Sequence, residues 1–239
     1  ADEYMEETVK TPGKSMEYDY FLNDFLPKIK NTPIINFMGG EPTLHPKFTD
    51  IFRNTYDDIL PYSHLSVFTN GLMPDKALDL MLEMAGTNGA RTKNVVFAIL
   101  LNWQTMENIS EKNHERCKEV AEKMLRTNGY SVTFSLNLYS KDQNLEKQCE
   151  EIDAIYQKVG LPKDKLYKIR VSPAFPIIGG ESNVYLPIRD YPKVGRQMLK
   201  ILQRFPQMCF RFDCSFPPCF LDEIEEDQFS LTDRFFFHG

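Results

Sequence analysis

The chain has 239 residues, of which 42% are hydrophobic and 26% are charged, a composition typical of a globular protein with a substantial buried core. The formal net charge is −6 and no stretch of the sequence forms a basic stripe, so nucleic acid is not expected as a partner. The longest apolar run, residues 95–101, is too short to span a bilayer, and we therefore expect no membrane-embedded segment.

The N-terminal segment and the cysteines indicate the compartment. Residues 1–10, ADEYMEETVK, are acidic and polar, unlike a secretory signal peptide. The sequence contains five cysteines, which are Cys117, Cys149, Cys209, Cys214 and Cys219. An odd number of cysteines without a secretion signal predicts reduced thiols and a cytoplasmic protein.

Apolar periodicity alternates between short strands and longer helices along the chain. A first helix is predicted for residues 15–29, where apolar side chains recur at helical spacing. The predicted strands that follow are residues 33–38, 65–68, 94–101, 130–138 and 167–171. The predicted helices are residues 47–60, 74–85, 111–128, 145–159 and 192–205, with Gly129 and Gly160 as C-terminal caps of the third and fourth.

This alternation predicts an α/β fold in which helices connect the strands of a parallel sheet. A parallel barrel and a doubly wound open sheet are both compatible with the pattern. The helix at residues 15–29 has no strand before it, which suggests that one strand is missing from the chain. We expect one domain over residues 1–206 and a cysteine-containing tail over residues 207–239.

Polar residues and glycines follow the predicted strands, at the edge where parallel α/β folds bind their ligands. Those singled out as candidate binding residues are Gly39, Gly40, Glu41, Asn70, Asn102, Asn137, Arg170 and Ser172. If these strand ends converge on one rim, they form a pocket lined with hydrogen-bonding groups. The alternative for Gly39, Gly40 and Glu41 is an ordinary turn after a strand, with the Glu41 carboxylate in solvent.

The first strand end combines backbone freedom with a negative charge. Gly39 and Gly40 can adopt backbone angles that other residues avoid, and they allow a ligand to approach the main chain. Glu41 adds an acceptor and a charge suited to an ammonium group, and Pro42 fixes the direction in which the chain leaves.

Residues 38–46, MGGEPTLHP, resemble the Gly-Gly-Glu-Pro motif of the radical S-adenosylmethionine (radical SAM) enzymes, and residues 67–71, VFTNG, resemble that family's third-strand ending. The resemblance covers residues 1–170 and implies a partial (β/α)6-type parallel barrel whose first strand is missing from this chain. It implies that Gly39, Gly40 and Glu41 meet the amino group of SAM. Further contacts to the carboxylate, ribose and adenine would come from Asn70, Asn102, Asn137, Arg170 and Ser172.

The family's Cys-x-x-x-Cys-x-x-Cys motif, which holds a 4Fe-4S cluster, is absent from this sequence. We expect the motif upstream of Ala1, and a family member without a cluster is the alternative. With the cluster and a reductant such as flavodoxin or ferredoxin, the resemblance implies formation of a 5′-deoxyadenosyl radical that abstracts hydrogen from a substrate. That substrate would be a peptide or protein side chain or a small molecule, and no residue is assigned as catalytic.

Three cysteines near the C-terminus, Cys209, Cys214 and Cys219, lie five residues apart. Such a group suits a soft metal or an iron–sulfur cluster, and it resembles the auxiliary-cluster regions of several radical SAM subfamilies. Three reduced cysteines in a packed aromatic tail are the alternative. The spacing does not match the short Cys-x-x-Cys of common zinc sites.

The remaining candidates for chemistry are isolated side chains. We expect His45 to shape the start of a helix, His114 to lie at the surface and Cys117 to lie in the core. Neither Cys117 nor Cys149 has a nearby base that would mark it as a nucleophile. An unrelated α/β enzyme that binds a phosphorylated ligand remains a third hypothesis, although the sequence has no Gly-x-Gly-x-x-Gly or P-loop pattern.

Overall fold

The computed structural model describes residues 16–86, 94–104, 109–127, 129–160, 166–174, 185–212, 220 and 233–237. These residues form an α/β fold with a seven-stranded, all-parallel sheet, which confirms the predicted fold class. The strands are β1 (Ile34–Phe37), β2 (His64–Thr69), β3 (Val96–Asn102), β4 (Tyr130–Leu138), β5 (Tyr167–Pro173), β6 (Met208–Phe212) and β7 (Phe235–Phe237). Their order in the sheet is the order in the chain.

Six helices accompany the strands in the described part of the chain. They are α1 (Tyr18–Tyr20, a π-helical turn Phe21–Phe25, and Leu26–Ile29), α2 (Phe48–Asp58), α3 (Asp75–Gly86), α4 (Glu111–Arg126), α5 (Leu145–Val159) and α6 (Tyr191–Arg204). Two short 3-10 helices cover Pro42–Leu44 and Ile188–Asp190. None of the helices in these ranges is long and apolar enough to cross a bilayer.

The helix ends show how far local signals determine the fold. Helix α5 has the predicted bounds, because Gly160 adopts a left-handed conformation with φ 76° and its N–H reaches the carbonyls of Tyr156 and Gln157. Helix α4 is shorter than predicted, since its C-cap is Thr127 and not Gly129. At its other end, the Ser110 hydroxyl accepts a hydrogen bond from the backbone N–H of Asn113.

The sheet extends beyond residue 206, where the sequence predicts a tail. Strand β6 pairs with β5, and β7 pairs with β6. Phe210, Phe212 and Phe235 are buried there, and their rings contact one another. The Arg234 guanidinium donates to the carbonyls of Phe205 and Met208, so it ties the last strand to the end of α6.

Each strand presents one face to the helices and one face away from them. The helix-facing side is apolar and includes Leu65, Val67, Phe97, Ile99 and Val171, all at most 1% exposed. The opposite side, termed the polar face, carries polar side chains on five strands, which are Asn36, Ser66, Ser131, Thr133, Ser135, Lys168, Arg170 and Arg211. Strand β3 adds the apolar Val96, Ala98 and Leu100 to the same side, and β2 adds Phe68.

The sheet is curved, with the polar face on its concave side. The Arg170 guanidinium on β5 lies 5.4 Å from the centre of the Phe68 ring on β2. These strands are three positions apart in the sheet, a separation of about 14 Å if the sheet were flat. Side chains that project from a flat sheet would stay apart, so the contact requires curvature that encloses the polar face.

Candidate functional site

The turn after β1, residues Gly39, Gly40 and Glu41, is termed the glycine loop. Gly39 has φ +135°, a conformation that residues with a Cβ atom rarely adopt. A Cβ atom built on Gly39 or on Gly40 has no heavy atom within 4 Å among its surroundings. The backbone of the loop is therefore open on the side where a side chain would stand, and a ligand can approach the main chain there.

The carboxylate of Glu41 fixes the loop to the end of β2. Its Oε1 accepts from the Thr43 backbone N–H at 3.2 Å and from the Thr43 hydroxyl at 2.6 Å. Its Oε2 accepts from the Thr69 hydroxyl at 2.8 Å and from the Asn70 backbone N–H at 2.7 Å. A carboxylate has about four lone-pair positions, so these four hydrogen bonds occupy its usual capacity.

Glu41 thus has a structural role that the sequence does not reveal. Its carboxylate holds the glycine loop in place, and the open surface of the loop is the backbone of Gly39 and Gly40. The contact between the Glu41 side chain and an ammonium group stays a prediction. Its negative charge remains beside the loop and favours a cationic group there at longer range.

Asn70 shapes the turn after β2. Its Oδ1 accepts from the Leu72 backbone N–H at 2.9 Å, and the following Gly71 has φ +81°. A Cβ atom on Gly71 would stand 3.1 Å from the Cys117 sulfur, so helix α4 packs closely against this turn. The Cys117 thiol donates to the Asn70 carbonyl. The amide oxygen of Asn70 is therefore used by the fold, while its role toward a ligand stays a prediction.

Asn102 and Asn137 come together at the ends of β3 and β4, as predicted for converging strand ends. The Asn137 Nδ2 lies 3.4 Å from the Asn102 Oδ1. Both line a cavity of about 310 Å³, the amide pocket, formed by Asn102, Trp103, Gln104, Asn137, Tyr139, Gln143 and Gln148. The Gln143 side chain donates to the Asn137 carbonyl at 3.0 Å and to Gln148 Oε1 at 2.9 Å, so the amides on one wall hold each other in place.

Polar side chains of α4 and α5 contact Trp103, which lines the amide pocket. Glu151 Oε2 accepts from Trp103 Nε1 at 3.1 Å and lies 3.0 Å from His114 Nε2. His114 is 0% exposed, so the prediction that it lies at the surface is wrong. Its partner Glu151 is 37 residues away in sequence, and its ring packs against Trp103. Cys117 lies in the core as predicted.

Ser172 and Arg170 lie on the polar face beside the amide pocket. Ser172 pairs in register with Asn137, and Arg170 pairs with Ser135. Asn70 follows Thr69, which pairs with Leu101, so the end of β2 adjoins Asn102. The predicted residues thus fall into two adjoining groups, the glycine loop with the end of β2 and the ends of β3 to β5.

A second cavity, of about 760 Å³, runs along β1 and α1 beneath the glycine loop. Its lining includes the glycine loop and the apolar side chains of Phe21, Phe25, Ile34, Met38 and Leu44. His45 closes one end: its Nδ1 accepts from the Lys47 backbone N–H at 3.1 Å, which leaves Nε2 to donate to the Met16 carbonyl at 2.9 Å. The expected role of His45 at a helix start is confirmed.

The candidate metal ligands are only partly described. Cys209 lies on β6, is fully buried, and its thiol lies 3.5 Å from the Tyr167 carbonyl, to which it donates. Cys214 and Cys219 lie outside the described residues. Within the described ranges, no three Cys, His, Asp or Glu side chains converge in a metal-binding arrangement. The auxiliary cluster therefore stays a prediction.

The thiols of Cys117 and Cys149 are expected to resist alkylation in the folded protein. Burial, with a smaller contribution from the Glu41 charge, raises the pKa of Cys117 to about 11, and burial also raises the pKa of Cys149. At pH 8 a thiol with such a pKa is ionised in roughly one molecule in a thousand, and only the thiolate reacts.

The measurement is treatment with iodoacetamide at pH 8, followed by peptide mass spectrometry. We expect both cysteines to be unmodified without denaturant and fully modified in urea. Rapid alkylation of either thiol in the native protein would show that it is accessible or activated.

In comparisons with known proteins, no protein-family model and no curated protein matches the chain. The site is therefore described by its own geometry. It consists of an open glycine backbone, a carboxylate that anchors this backbone to the next strand, and a pocket of amides at the neighbouring strand ends.

Proposed function

We propose that the chain binds S-adenosylmethionine across the carboxyl ends of β1 to β5 and forms the core of a radical SAM enzyme. The observation that carries this proposal is the glycine loop. Its backbone is open at Gly39 and Gly40, and four hydrogen bonds to Glu41 hold it in position. Carbonyl groups of such a loop can accept from the ammonium group of the methionine moiety.

The amide pocket supplies the second half of the binding site. Asn102, Asn137 and the glutamines behind them offer donors and acceptors at the neighbouring strand ends. Such groups suit the ribose hydroxyls and the adenine edge. Arg170 and Ser172, on the adjacent strand, are placed for the carboxylate of SAM. In this proposal the protein orients the ligand and excludes water around it.

In this proposal the cluster ligands are the cysteines of a motif upstream of Ala1, which the 239 residues do not include. A bound 4Fe-4S cluster, reduced by a donor such as flavodoxin or ferredoxin, supplies the electron that starts radical chemistry on SAM. The described residues have the complementary role of binding SAM and holding it in one orientation. The substrate, a peptide side chain or a small molecule, would be placed on the polar face.

Gly40→Ala is expected to weaken SAM binding at least tenfold with little change in stability. The added methyl group meets no heavy atom within 4 Å in the protein, but it occupies the space through which a ligand reaches the loop backbone. Isothermal titration calorimetry of SAM into the wild type and the variant measures the difference. The melting temperature of the variant shows that the fold is intact.

Leu60→Ala is the control, because this side chain is 46% exposed and lines neither of the two cavities described above. It should leave SAM affinity within twofold of the wild type. No binding of SAM to the wild-type protein would contradict the proposal. Binding of ATP without binding of SAM would instead favour an enzyme for phosphorylated ligands.

A second candidate function is a SAM-binding protein without a cluster. It shares the SAM site of the first candidate and differs from it only in the cluster, whose ligands the first candidate assigns to residues outside the described ranges. Anaerobic reconstitution with iron and sulfide, using the protein together with its upstream sequence, separates the two. Incorporated iron and formation of 5′-deoxyadenosine support the enzyme, whereas SAM binding without iron supports the second candidate.

A further inference from the structure

The glutamines of the amide pocket form a hydrogen-bonded chain whose direction is fixed by the backbone. The backbone N–H of Tyr139 donates to Gln143 Oε1 at 3.2 Å. Because a backbone N–H can only donate, the oxygen of the Gln143 amide must face it. Gln143 Nε2 donates to the Asn137 carbonyl at 3.0 Å, and a carbonyl can only accept. The two backbone groups therefore require the same orientation of the Gln143 amide.

The orientation of Gln143 determines that of Gln148. Gln143 Nε2 also donates to Gln148 Oε1 at 2.9 Å, which uses its second hydrogen atom. The nitrogen of Gln148 faces the Trp103 carbonyl instead and donates to it at 3.3 Å. Both glutamines are buried, with Gln143 9% and Gln148 3% exposed, so neither amide can turn over without breaking hydrogen bonds that the solvent would not replace.

Gln148 retains one N–H for a ligand. An amide nitrogen carries two hydrogen atoms, and among the described residues the Trp103 carbonyl is the one acceptor that Gln148 Nε2 reaches. Gln148 also lines the amide pocket. A buried N–H without an acceptor costs free energy, which a ligand atom that accepts a hydrogen bond recovers. The pocket therefore offers a donor whose place is fixed before the ligand arrives.

The other residues of the amide pocket suit a planar aromatic group. Trp103 and Tyr139 line it together with the amides. The Trp103 ring is held by its hydrogen bond to Glu151 and by an edge-on contact with the Phe134 ring. Nucleobases bind to proteins by stacking on aromatic side chains and by hydrogen bonds at their edges. The volume, about 310 Å³, is at the lower end of the range for small-molecule pockets, so it suits one part of SAM rather than all of it.

We propose that the amide pocket holds the adenine of SAM and that Gln148 is a specificity-determining residue, which donates its remaining N–H to a ring nitrogen of the base. The ring nitrogens N1, N3 and N7 of adenine are acceptors and cannot donate, so they match a donor of fixed direction. A ribose hydroxyl both donates and accepts and needs no such arrangement. The direction of the hydrogen bonds rests on the contacts alone, whereas the assignment to adenine rests on the proposed function.

The test uses S-adenosylhomocysteine and its 1-deaza, 3-deaza and 7-deaza analogues, each of which has a C–H group in place of one ring nitrogen. Isothermal titration calorimetry measures their affinities for the wild-type protein. We expect one analogue to bind at least tenfold more weakly than the parent compound, because the Gln148 N–H then faces a group that cannot accept. In Gln148→Met the donor is absent for every ligand, so the same analogue should bind within threefold of the parent.

Gln157→Met is the control, since it makes the same substitution at an exposed position of α5 that does not line the amide pocket. It should preserve the wild-type difference between the parent and the analogue. Gln148→Met also removes the acceptor of Gln143, so its melting temperature is measured first. The analogue series in the wild-type protein tests the proposal even if this variant does not fold.

The outcomes separate the base site from the proposed function. Equal affinity of the wild type for the parent and all three analogues would overturn the base site, and so would a loss that persists in folded Gln148→Met; SAM binding would leave the proposed function in place in either case. The same series is repeated with adenosine, which lacks the methionine moiety. A tenfold loss for one deaza-adenosine without any binding of SAM would contradict only the proposed function. No binding of SAM, S-adenosylhomocysteine or adenosine would overturn both.

Discussion

Replacing Glu41 with alanine is expected to abolish SAM binding and to lower the free energy of unfolding by roughly 2–4 kcal/mol. The carboxylate accepts four hydrogen bonds, two of them from the end of β2, and the alanine variant leaves these donors without it. For a chain of this size the loss corresponds to a fall in melting temperature of about 4–16 °C. Calorimetric melting and SAM titration measure the two effects.

Two further variants, Thr69→Val and Glu83→Ala, are compared with Glu41→Ala because we expect them to lose less stability. The Thr69 hydroxyl donates to Glu41 and accepts from the Gly71 N–H at 3.0 Å, so its removal should cost about 1–2 kcal/mol. Glu83 forms an exposed ion pair with Arg53 at 3.8 Å, and its loss should change stability by less than about 0.5 kcal/mol. With the cluster-bearing protein, unchanged 5′-deoxyadenosine yield in Glu41→Ala would remove this residue from the site.

Gly195→Ala is expected to destabilise the protein by roughly 1–3 kcal/mol, although alanine is the better helix former. Gly195 lies within α6, and a Cβ atom there would stand 2.0 Å from the backbone carbonyl oxygen of Phe220. Phe220 is 1% exposed and packs edge-on against Phe212, so its backbone cannot move away without disturbing the core. Urea denaturation measures the change.

The sign of the change in stability distinguishes helix propensity from the close approach of Phe220. Helix propensity alone predicts a gain of about 1 kcal/mol for glycine to alanine within a helix, whereas the close approach predicts a loss. Gln203→Ala introduces alanine at an exposed position of the same helix, where no backbone approaches closely. Its free energy of unfolding should stay within about 0.5 kcal/mol of the wild-type value. A stabilised Gly195→Ala protein would show that the close approach of Phe220 to Gly195 does not constrain this position.

Local patterns in the sequence predict most of the helices and the first five strands. Helix α5 is predicted with its observed bounds because its end depends on one residue, Gly160, whose left-handed backbone needs no distant partner. The end of α4 is missed by two residues, since Thr127 ends the helix before Gly129 is reached. Strands β6 and β7 are missed because their apolar runs are short and do not alternate: Met208, Cys209 and Phe210 are all buried.

The sequence predicts that the strand ends lie close together, but it does not predict the contacts that their side chains make. Asn102 and Asn137 meet because parallel strands end at a common edge, which the alternation of elements implies. The hydrogen bonds of Glu41 to the end of β2 span 28 residues or more, and nothing local encodes them. The burial of His114 likewise depends on Glu151 in the next helix.

The side-by-side arrangement of Asn102, Ser135, Arg170 and Arg211 depends on the register of four strands. Sequence shows Lys168 and Arg170 as alternate residues of one strand, but it does not show that Arg211 stands beside them. A slip of one residue between β5 and β6 would put Arg211 on the helix-facing side, where its charge would be buried in the core. The position of Arg211 beside Arg170 is thus a property of the strand pairing.

The sequential order of the strands has a consequence for biosynthesis. Each strand from β1 to β7 pairs with its neighbour in the chain, so every newly made strand meets a partner that has already left the ribosome. The sheet can therefore grow in the direction of translation. Strands β6 and β7 are made after the glycine loop and the amide pocket, so this edge of the sheet is completed last.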